Sequence, residues 1–208
     1  MRRLIIKSSF LVRVCILLAF FSFQIQRASA QKTKVQFSHI TNIDGLSQST
    51  VQAIVKDKYG YLWFGTQDGL NKYDGYKFTV YRHQPGNPKS LRKNHIMSLY
   101  EDRRGNLWVG TLNGGLSLYD RDNDCFINYK EEPNNPEKIS HPVITSIYED
   151  KQGNFWVGTY WNLNLVDRKT GKVSRFISNP ADPSTISNDG ITDMFEDSRG
   201  NLWIGTQN

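Results

Sequence analysis

The sequence predicts an all-β fold, a β-propeller built from four-stranded antiparallel blades. A glycine-flanked phrase occurs four times around tryptophans 63, 108, 156 and 203, which lie 45, 48 and 47 residues apart. Repeats of this length are typical of solenoids, propellers and arrays. Around each copy, short apolar segments alternate with Asp-Gly and Asn-Gly turn signals, the pattern of successive hairpins.

The repeated phrase itself predicts a strand that is buried on both faces. Its second copy, from Gly105 to Thr111, reads Gly-Asn-Leu-Trp-Val-Gly-Thr and is almost continuously apolar. Sheets that stack face to face around an axis provide such burial. We expect the repeat tryptophans to occupy equivalent buried positions and the second glycines to let neighbouring backbones approach closely. These structural repeat positions are Trp63, Trp108, Trp156, Trp203, Gly65, Gly110, Gly158 and Gly205.

An aspartate-led turn precedes every repeated phrase. It joins the phrase to an apolar first strand and has the form D-x-x-G, starting at Asp57, Asp102, Asp150 and Asp197. Aspartate at the first position and glycine at the fourth favour a type I turn. A row of aspartates also raises calcium binding or catalysis as alternatives. Because the turn holds no second ligand, we expect turn capping and no metal site.

Two further strands follow the repeated phrase in each complete repeat, so that each repeat has four strands. The third strands are predicted at 70–73, 116–119 and 163–166, and the fourth carry an aromatic marker such as Phe78, Phe126 or Phe176. The predicted blades cover residues 43–82, 92–130 and 142–178, with a half-blade at 188–208. Residues 35–40 resemble an outermost strand with Phe37 at the marker position, as expected of a closing strand. Since closed propellers have about 4–8 blades, we expect the front part of a longer protein.

The first 30 residues predict a signal peptide. Basic residues precede an apolar run at 14–23, and Ala28-Ser29-Ala30 follows it. This order is typical of secretion and cleavage, which implies a periplasmic protein. An uncleaved membrane anchor is the alternative, but the run is shorter than the roughly 20 residues that a spanning helix needs.

Removal of this segment changes the charge balance. It contains five of the 26 basic residues and none of the 20 acidic ones, so the remainder has a net charge of +1. The composition therefore gives no electrostatic support for nucleic-acid binding. Cys125 is the only cysteine that remains, so no internal disulfide is expected.

The repeated phrase resembles a known family. The consensus D-x-x-G-x-L-W-x-G-T-x-x-G-L, with Asn42-Ile43-Asp44-Gly45-Leu46-Ser47 leading into its first copy, is similar to the two-component regulator propeller repeat over residues 36–208. The resemblance implies the periplasmic sensor region of a hybrid histidine kinase. In that family two seven-bladed propellers precede an immunoglobulin-like domain, a membrane helix, a kinase core, a receiver and a DNA-binding regulator. Members typically sense oligosaccharides, but the resemblance transfers no ligand-binding residue.

Three functions are compatible with such a module. The leading hypothesis is an extracytoplasmic oligosaccharide sensor whose partners are the further blades, a second propeller and a downstream membrane helix of a parent protein. The second is a periplasmic propeller used only for protein–protein contact. The third is a propeller lyase or glycosidase, yet no carboxylate pair or histidine recurs outside turn and linker positions. We therefore expect no catalytic residue and no cofactor.

One turn breaks the repeat pattern and provides the candidate ligand-binding residues. At the position of Asp68-Gly69 in the first blade, the third blade has Trp161-Asn162, preceded by Tyr160. Tight turns select small polar residues, so two adjacent aromatic rings bring no benefit to the turn itself. The rings are suited to stacking on a sugar, with Asn162 supplying hydrogen bonds. The alternatives are that Trp161 folds back over the blade edge or contacts a second propeller.

Overall fold

The computed structural model describes residues 35–130, 132 and 134–207. Every strand described lies in one compact unit, within residues 40–208. The predicted signal peptide lies outside the described residues. The helical structure within the described part is one 3₁₀ turn, Asn42–Asp44, capped by Thr41 and followed by Gly45 at a φ of 105°.

Within the described residues, fourteen strands form four separate sheets. The first three sheets have four strands each and the last has two. The first contains β1 (Val51–Lys56), β2 (Leu62–Thr66), β3 (Gly69–Tyr73) and β4 (Phe78–Tyr81). The second contains β5 (Ile96–Glu101), β6 (Leu107–Thr111), β7 (Gly115–Asp120) and β8 (Cys125–Tyr129). The third contains β9 (Ile144–Glu149), β10 (Phe155–Thr159), β11 (Leu163–Val166) and β12 (Val173–Phe176), and the fourth contains β13 (Ile191–Glu196) and β14 (Leu202–Thr206).

Each sheet is an antiparallel meander in sequence order, as the hairpin signals predict. The repeated phrase forms the second strand of every sheet, and it pairs with the first strand across the D-x-x-G turn. The predicted all-β propeller of three complete blades and a half-blade is confirmed. We call the sheets blades 1 to 4 in chain order.

The hydrophobic core lies between consecutive blades. Trp63 of blade 1 is fully buried in a cluster with Leu107 and Val109 of the second strand of blade 2. Trp108 repeats this packing one blade later, since it clusters with Phe155 and Val157. The second strand is thus apolar on both faces because one face meets the preceding blade and the other meets the next.

Exposure of the four tryptophans depends on the blade that packs against each of them. Trp63 and Trp108 have exposed fractions of 0% and 2%, Trp156 is half-buried, and Trp203 is 60% exposed. Trp156 packs on a two-stranded blade, and no described strand comes after β14 to cover Trp203. The expectation of uniform burial is therefore wrong for Trp203, although its position in the strand is equivalent.

The repeated glycines make room for side chains of the next blade. A Cβ on Gly65 would lie 2.6 Å from Cγ2 of Ile96, and one on Gly158 would lie 2.6 Å from Cγ2 of Ile191. Gly110 meets Ile144 in the same way, at 2.7 Å. At these three glycines a side chain would clash, as expected, although with an isoleucine at the start of the next blade and not with its backbone. A Cβ on Gly205 would instead lie 2.7 Å from Oγ1 of Thr192 in its own blade.

The aspartate of each D-x-x-G turn accepts hydrogen bonds from a tryptophan side chain as well as from the turn backbone. In blade 2, Oδ1 of Asp102 accepts the backbone N–H groups of Arg104 and Asn106, while Oδ2 accepts the indole N–H of Trp108 at 3.0 Å. The tryptophan bond recurs in the other three blades at 2.8, 2.8 and 3.1 Å. The turn prediction is correct, and the carboxylate also fixes the buried tryptophan.

The same carboxylates join neighbouring blades. Arg168 of blade 3 donates to Oδ2 of Asp102 at 2.8 Å and to Oε1 of its own Glu149. Arg121 of blade 2 reaches Asp57 of blade 1 in the same way, at 2.8 Å. We call each such arginine with its two carboxylates an inter-blade clamp.

Residues 35–40 form no strand in the structure. Val35 and Phe37 are 69% and 82% exposed. A closing strand needs the third strand of another blade as its partner, and every third strand described already pairs with a fourth strand of its own. The predicted closing strand is therefore not formed in this chain.

No helix within the described residues has the length and apolarity needed to cross a membrane.

Candidate functional site

The turns between second and third strands lie at the same end of the blades as the inter-blade loops. Each turn is tied to the loop that leads into the next blade. The backbone N–H groups of Gly69, Gly115 and Asn162 donate to the carbonyls of Asn94, Pro142 and Asp189, respectively, at 2.8, 2.9 and 2.8 Å. These three donors are equivalent positions, with φ values of 124°, 75° and 80°.

A left-handed backbone explains the choice of residue at this position. Glycine adopts positive φ at little cost, and asparagine is the side-chain-bearing residue that tolerates it best. Blade 3 therefore keeps the turn with an asparagine in place of a glycine, and the position gains an amide side chain. The Asn162 side chain forms no hydrogen bond to the described residues, which leaves its amide available to a ligand.

The aromatic side chains of this turn point to solvent. Tyr160 is 47% exposed and Trp161 is 63% exposed, so neither folds back over the blade edge. The backbone beneath them is held in place, since the Trp161 carbonyl accepts the hydroxyls of Ser140 and Thr159. The His141 ring lies 5.4 Å from the Trp161 ring and 6.1 Å from the Tyr160 ring. Three rings therefore form one surface on an ordered backbone.

A cavity of about 590 Å³ adjoins these rings, between the turn of blade 3 and the loops around blade 4. Its volume falls within the range of about 300–1,000 Å³ that is typical of small-molecule sites. Its lining residues are Tyr160, Trp161, Asn162, Ser178, Pro180, Ser187, Asn188, Asp189, Gly190 and Gln207.

Polar groups of the loop that leads into blade 4 line the same cavity. The Asp189 carboxylate accepts the backbone N–H of Ser178 through Oδ1 at 2.6 Å, and the Asn188 amide oxygen accepts that of Gly190 at 2.9 Å. Each side chain therefore has a fixed orientation and retains polar atoms for a ligand. An aromatic surface with converging amide, carboxylate and hydroxyl groups is able to bind a polyhydroxylated ring, because the ring's C–H face stacks and its hydroxyls form hydrogen bonds.

A second cavity, of about 330 Å³, lies at the opposite end of the blades, beside the D-x-x-G turn of blade 3. Its lining includes the basic residues Arg104, Arg168, Lys169 and Lys172. Arg168 is already engaged by the inter-blade clamp, and Lys172 pairs with Glu137 at 3.0 Å. These two basic groups serve the fold, and we assign this cavity no ligand.

Within the described part of the chain, no group of three or more His, Cys, Asp or Glu side chains is placed to hold a metal ion. In blade 2 the carboxylate of Asp102 accepts hydrogen bonds from the side chains of Asn106, Trp108 and Arg168.

Sequence reasoning identified only one wall of the cavity. Tyr160, Trp161 and Asn162 stand out because they break a turn pattern that the other blades follow. The lining residues from Ser187 to Gly190 were not predicted as part of the site. They lie in the loop before the first strand of blade 4, and their place follows from the hydrogen bond of the Asp189 carbonyl, which is equivalent to those of Asn94 and Pro142.

The chain matches the family model described as "Two component regulator propeller" in four segments, residues 45–68, 90–113, 138–161 and 185–208. Each segment runs from the loop before a first strand to the turn after the repeated phrase. The candidate turn of blade 3 therefore lies at the end of the third match.

Similar proteins are found both by sequence and by structure. The chain is 49% identical over 71 residues to histidine kinase P4 of Formosa agariphila, a match that covers 34% of the chain and 5% of that protein. It superposes with a TM-score of 0.71 and 28% identity on the extracellular domain of the putative hybrid two component system BT3049 of B. thetaiotaomicron, over 81% of the chain and 24% of that structure. The extracellular domain of BT4673 from the same organism gives a TM-score of 0.68 at 24% identity, over 84% of the chain and 23% of that structure, and supports the fold. The chain thus spans a small part of the relatives it matches.

Proposed function

Because this chain belongs to the two component regulator propeller family, we propose that it senses an oligosaccharide as part of the extracytoplasmic region of a hybrid two-component system. The likeness to extracellular domains of such systems supports the location, and the predicted signal peptide agrees with it. Kinase and regulator activities belong to the proposal for the whole parent protein, and this chain contributes recognition without catalysis.

One observation carries the oligosaccharide proposal. Two exposed aromatic rings, Tyr160 and Trp161, stand on a hydrogen-bonded turn beside a cavity that is also lined by amide and carboxylate groups. Exposed rings of this size cost solvation free energy unless something covers them, and a sugar covers a ring while keeping its own hydroxyls paired.

Titration of short oligosaccharides tests the proposal. The complete gene product that contains this chain is screened by thermal shift, and every compound that raises the melting temperature is titrated by calorimetry. We expect Trp161→Ala to weaken binding strongly and to leave the melting temperature of the free protein unchanged. Tyr76→Ala is the matched control, because Tyr76 is 96% exposed and lies in the β3–β4 turn at the other end of a blade.

Binding that survives Trp161→Ala would remove this turn from the site. Protein–protein contact is the competing function, since Trp and Tyr are also enriched in interfaces. It would be favoured if Trp161→Ala disrupted an oligomer or a domain contact while every oligosaccharide failed to bind.

A further inference from the structure

The charged groups that line the candidate cavity indicate whether it suits neutral or acidic saccharides. Its lining includes two aromatic residues, amides, hydroxyl groups, a proline, a glycine and the carboxylate of Asp189, with no lysine or arginine among the described residues. Sulfate and carboxylate groups of acidic sugars are bound chiefly by arginine and lysine, through charge-assisted hydrogen bonds. The cavity provides none of these donors.

Asp189 is a fixed anion within the cavity wall. Oδ1 accepts the N–H of Ser178, and no salt bridge involves this carboxylate in the described part of the chain. A carboxylate held in this way accepts hydrogen bonds from sugar hydroxyls. It repels a uronate or sulfate, because no neighbouring cation neutralises it.

His141 lies beside the rings but is not among the residues that line the cavity, and its Nδ1 accepts the backbone N–H of Val143 at 3.2 Å.

We infer that the cavity between blades 3 and 4 takes a neutral saccharide and discriminates against acidic ones through Asp189. The inference rests on the proposed function, because it specifies the ligand of the same site. Trp161 and Tyr160 stack on the sugar, and Asn162 and Asn188 form hydrogen bonds with its hydroxyls. Asp189 accepts hydrogen bonds from sugar hydroxyls. A sulfate or carboxylate group in place of such a hydroxyl has no proton to donate.

The test compares two sets of probes on the complete gene product that contains this chain. One set holds short neutral gluco-, galacto-, manno- and xylo-oligosaccharides, and the other holds oligogalacturonides and sulfated oligosaccharides of matched length. Each is titrated by calorimetry against the unaltered protein, Trp161→Ala and Asp189→Asn. Asparagine keeps the oxygen that accepts the Ser178 N–H and removes the charge. Asp182→Asn is the control, since Asp182 is an exposed carboxylate of the same loop that does not line the cavity.

The expected result is binding from the neutral set that Trp161→Ala abolishes. Asp189→Asn is expected to raise the affinity for acidic probes about fivefold, the effect of removing one like charge near contact in a water-like medium, and Asp182→Asn is expected to have no effect. Binding of acidic probes alone, lost on Trp161→Ala, would overturn the neutral class while the sensing proposal stands. Absence of binding from both sets, or binding that Trp161→Ala does not weaken, would overturn the sensing proposal and this inference with it.

Discussion

At the scale of single residues, Asn162 combines two roles that other blades keep apart. Its left-handed backbone donates to the Asp189 carbonyl as Gly69 and Gly115 do for their own loops, while its side chain adds an amide to the cavity. Asparagine in this conformation is less favourable than glycine. Asparagine at this position is thus a local cost to the fold, and the proposed contact with a ligand would account for it.

Replacement of this asparagine separates the two roles. Asn162→Gly is expected to leave the melting temperature equal or slightly higher, because glycine suits a φ of 80° better. Affinity for an oligosaccharide is expected to fall by about 0.5–1.5 kcal/mol, the net value of one hydrogen bond. Thermal unfolding and calorimetric titration measure the two effects, and unchanged affinity would show that the amide has no contact with ligand.

At this scale the sequence singles out a residue that departs from a repeat. Trp161 is visible because Asp68 occupies the equivalent position and binds Arg82 at 3.0 Å, whereas Trp161 has no such partner in its blade. The residues from Asn188 to Gly190 could not be predicted in the same way. These loop residues are polar and common in such positions, and their contact with Asn162 joins two different blades.

At the scale of elements, the inter-blade clamp gives the aspartate turns of blades 1 and 2 a further role beside the tryptophan bond. Each clamp buries two carboxylates under one arginine, and in the second clamp the side chains of Asp102, Glu149 and Arg168 are 0%, 4% and 12% exposed. The sequence predicted the turn but missed the clamp. The arginine lies in the turn between third and fourth strands, 66 positions from its aspartate, and such a distant pair has no local signature.

Removal of the clamp arginine is expected to be costly. Arg168→Ala leaves two buried carboxylates without their cation, so the free energy of unfolding should fall by about 3–5 kcal/mol. Lys172→Ala is the matched control, because its ion pair with Glu137 has side chains 66% and 58% exposed and exposed pairs contribute about 0–1 kcal/mol. Urea denaturation measures both changes, and equal losses for the two variants would show that the clamp does not bear on stability.

The clamps also predict sensitivity to acid. Burial alone would raise the pKa of the Asp102 carboxyl, but hydrogen bonds from Trp108 and Asn106 and the charge of Arg168 hold it below its ordinary value of 3.8. The pKa values of Asp57 and Asp150 are lowered in the same direction. A carboxyl with a lowered folded-state pKa stabilises the fold above its unfolded pKa, and this stabilisation is lost as pH falls through the folded value.

We therefore expect the free energy of unfolding to decrease as the pH falls below the ordinary aspartate value of 3.8. Urea unfolding followed by circular dichroism at stepped pH measures the slope. Asp102→Asn should be less stable at neutral pH and should show a shallower acid decline, because one linked proton is removed. An unaltered slope in this variant would contradict the assigned role of Asp102.

At the scale of the whole molecule, the repeat period and the hairpin signals determine the architecture, because every complete blade repeats the same four-strand pattern with the same turns. They do not determine burial at the ends of the series. Trp203 and Phe195 of blade 4 are 60% and 64% exposed, and Ile54 on the outer face of blade 1 is 62% exposed. A uniform repeat predicts equal environments, whereas a stack of blades has two terminal faces.

These terminal faces predict poor behaviour of the isolated segment. Residues 31–208, produced alone, are expected to aggregate or to unfold without cooperativity, since exposed apolar faces and strand edges promote association. The complete gene product is expected to be monodisperse. Size-exclusion chromatography with light scattering and a thermal melt make the comparison. A monomer of residues 31–208 that melts cooperatively would refute this expectation.

The most direct test of the sensing account is a crystal structure of the complete gene product, or of its extracytoplasmic region, with an oligosaccharide that it binds in solution. The account predicts a sugar ring stacked on the Trp161 indole, with its hydroxyls directed at Asn162 and Asp189. A sugar bound elsewhere on the blades, with the cavity beside Trp161 left to solvent, would contradict it.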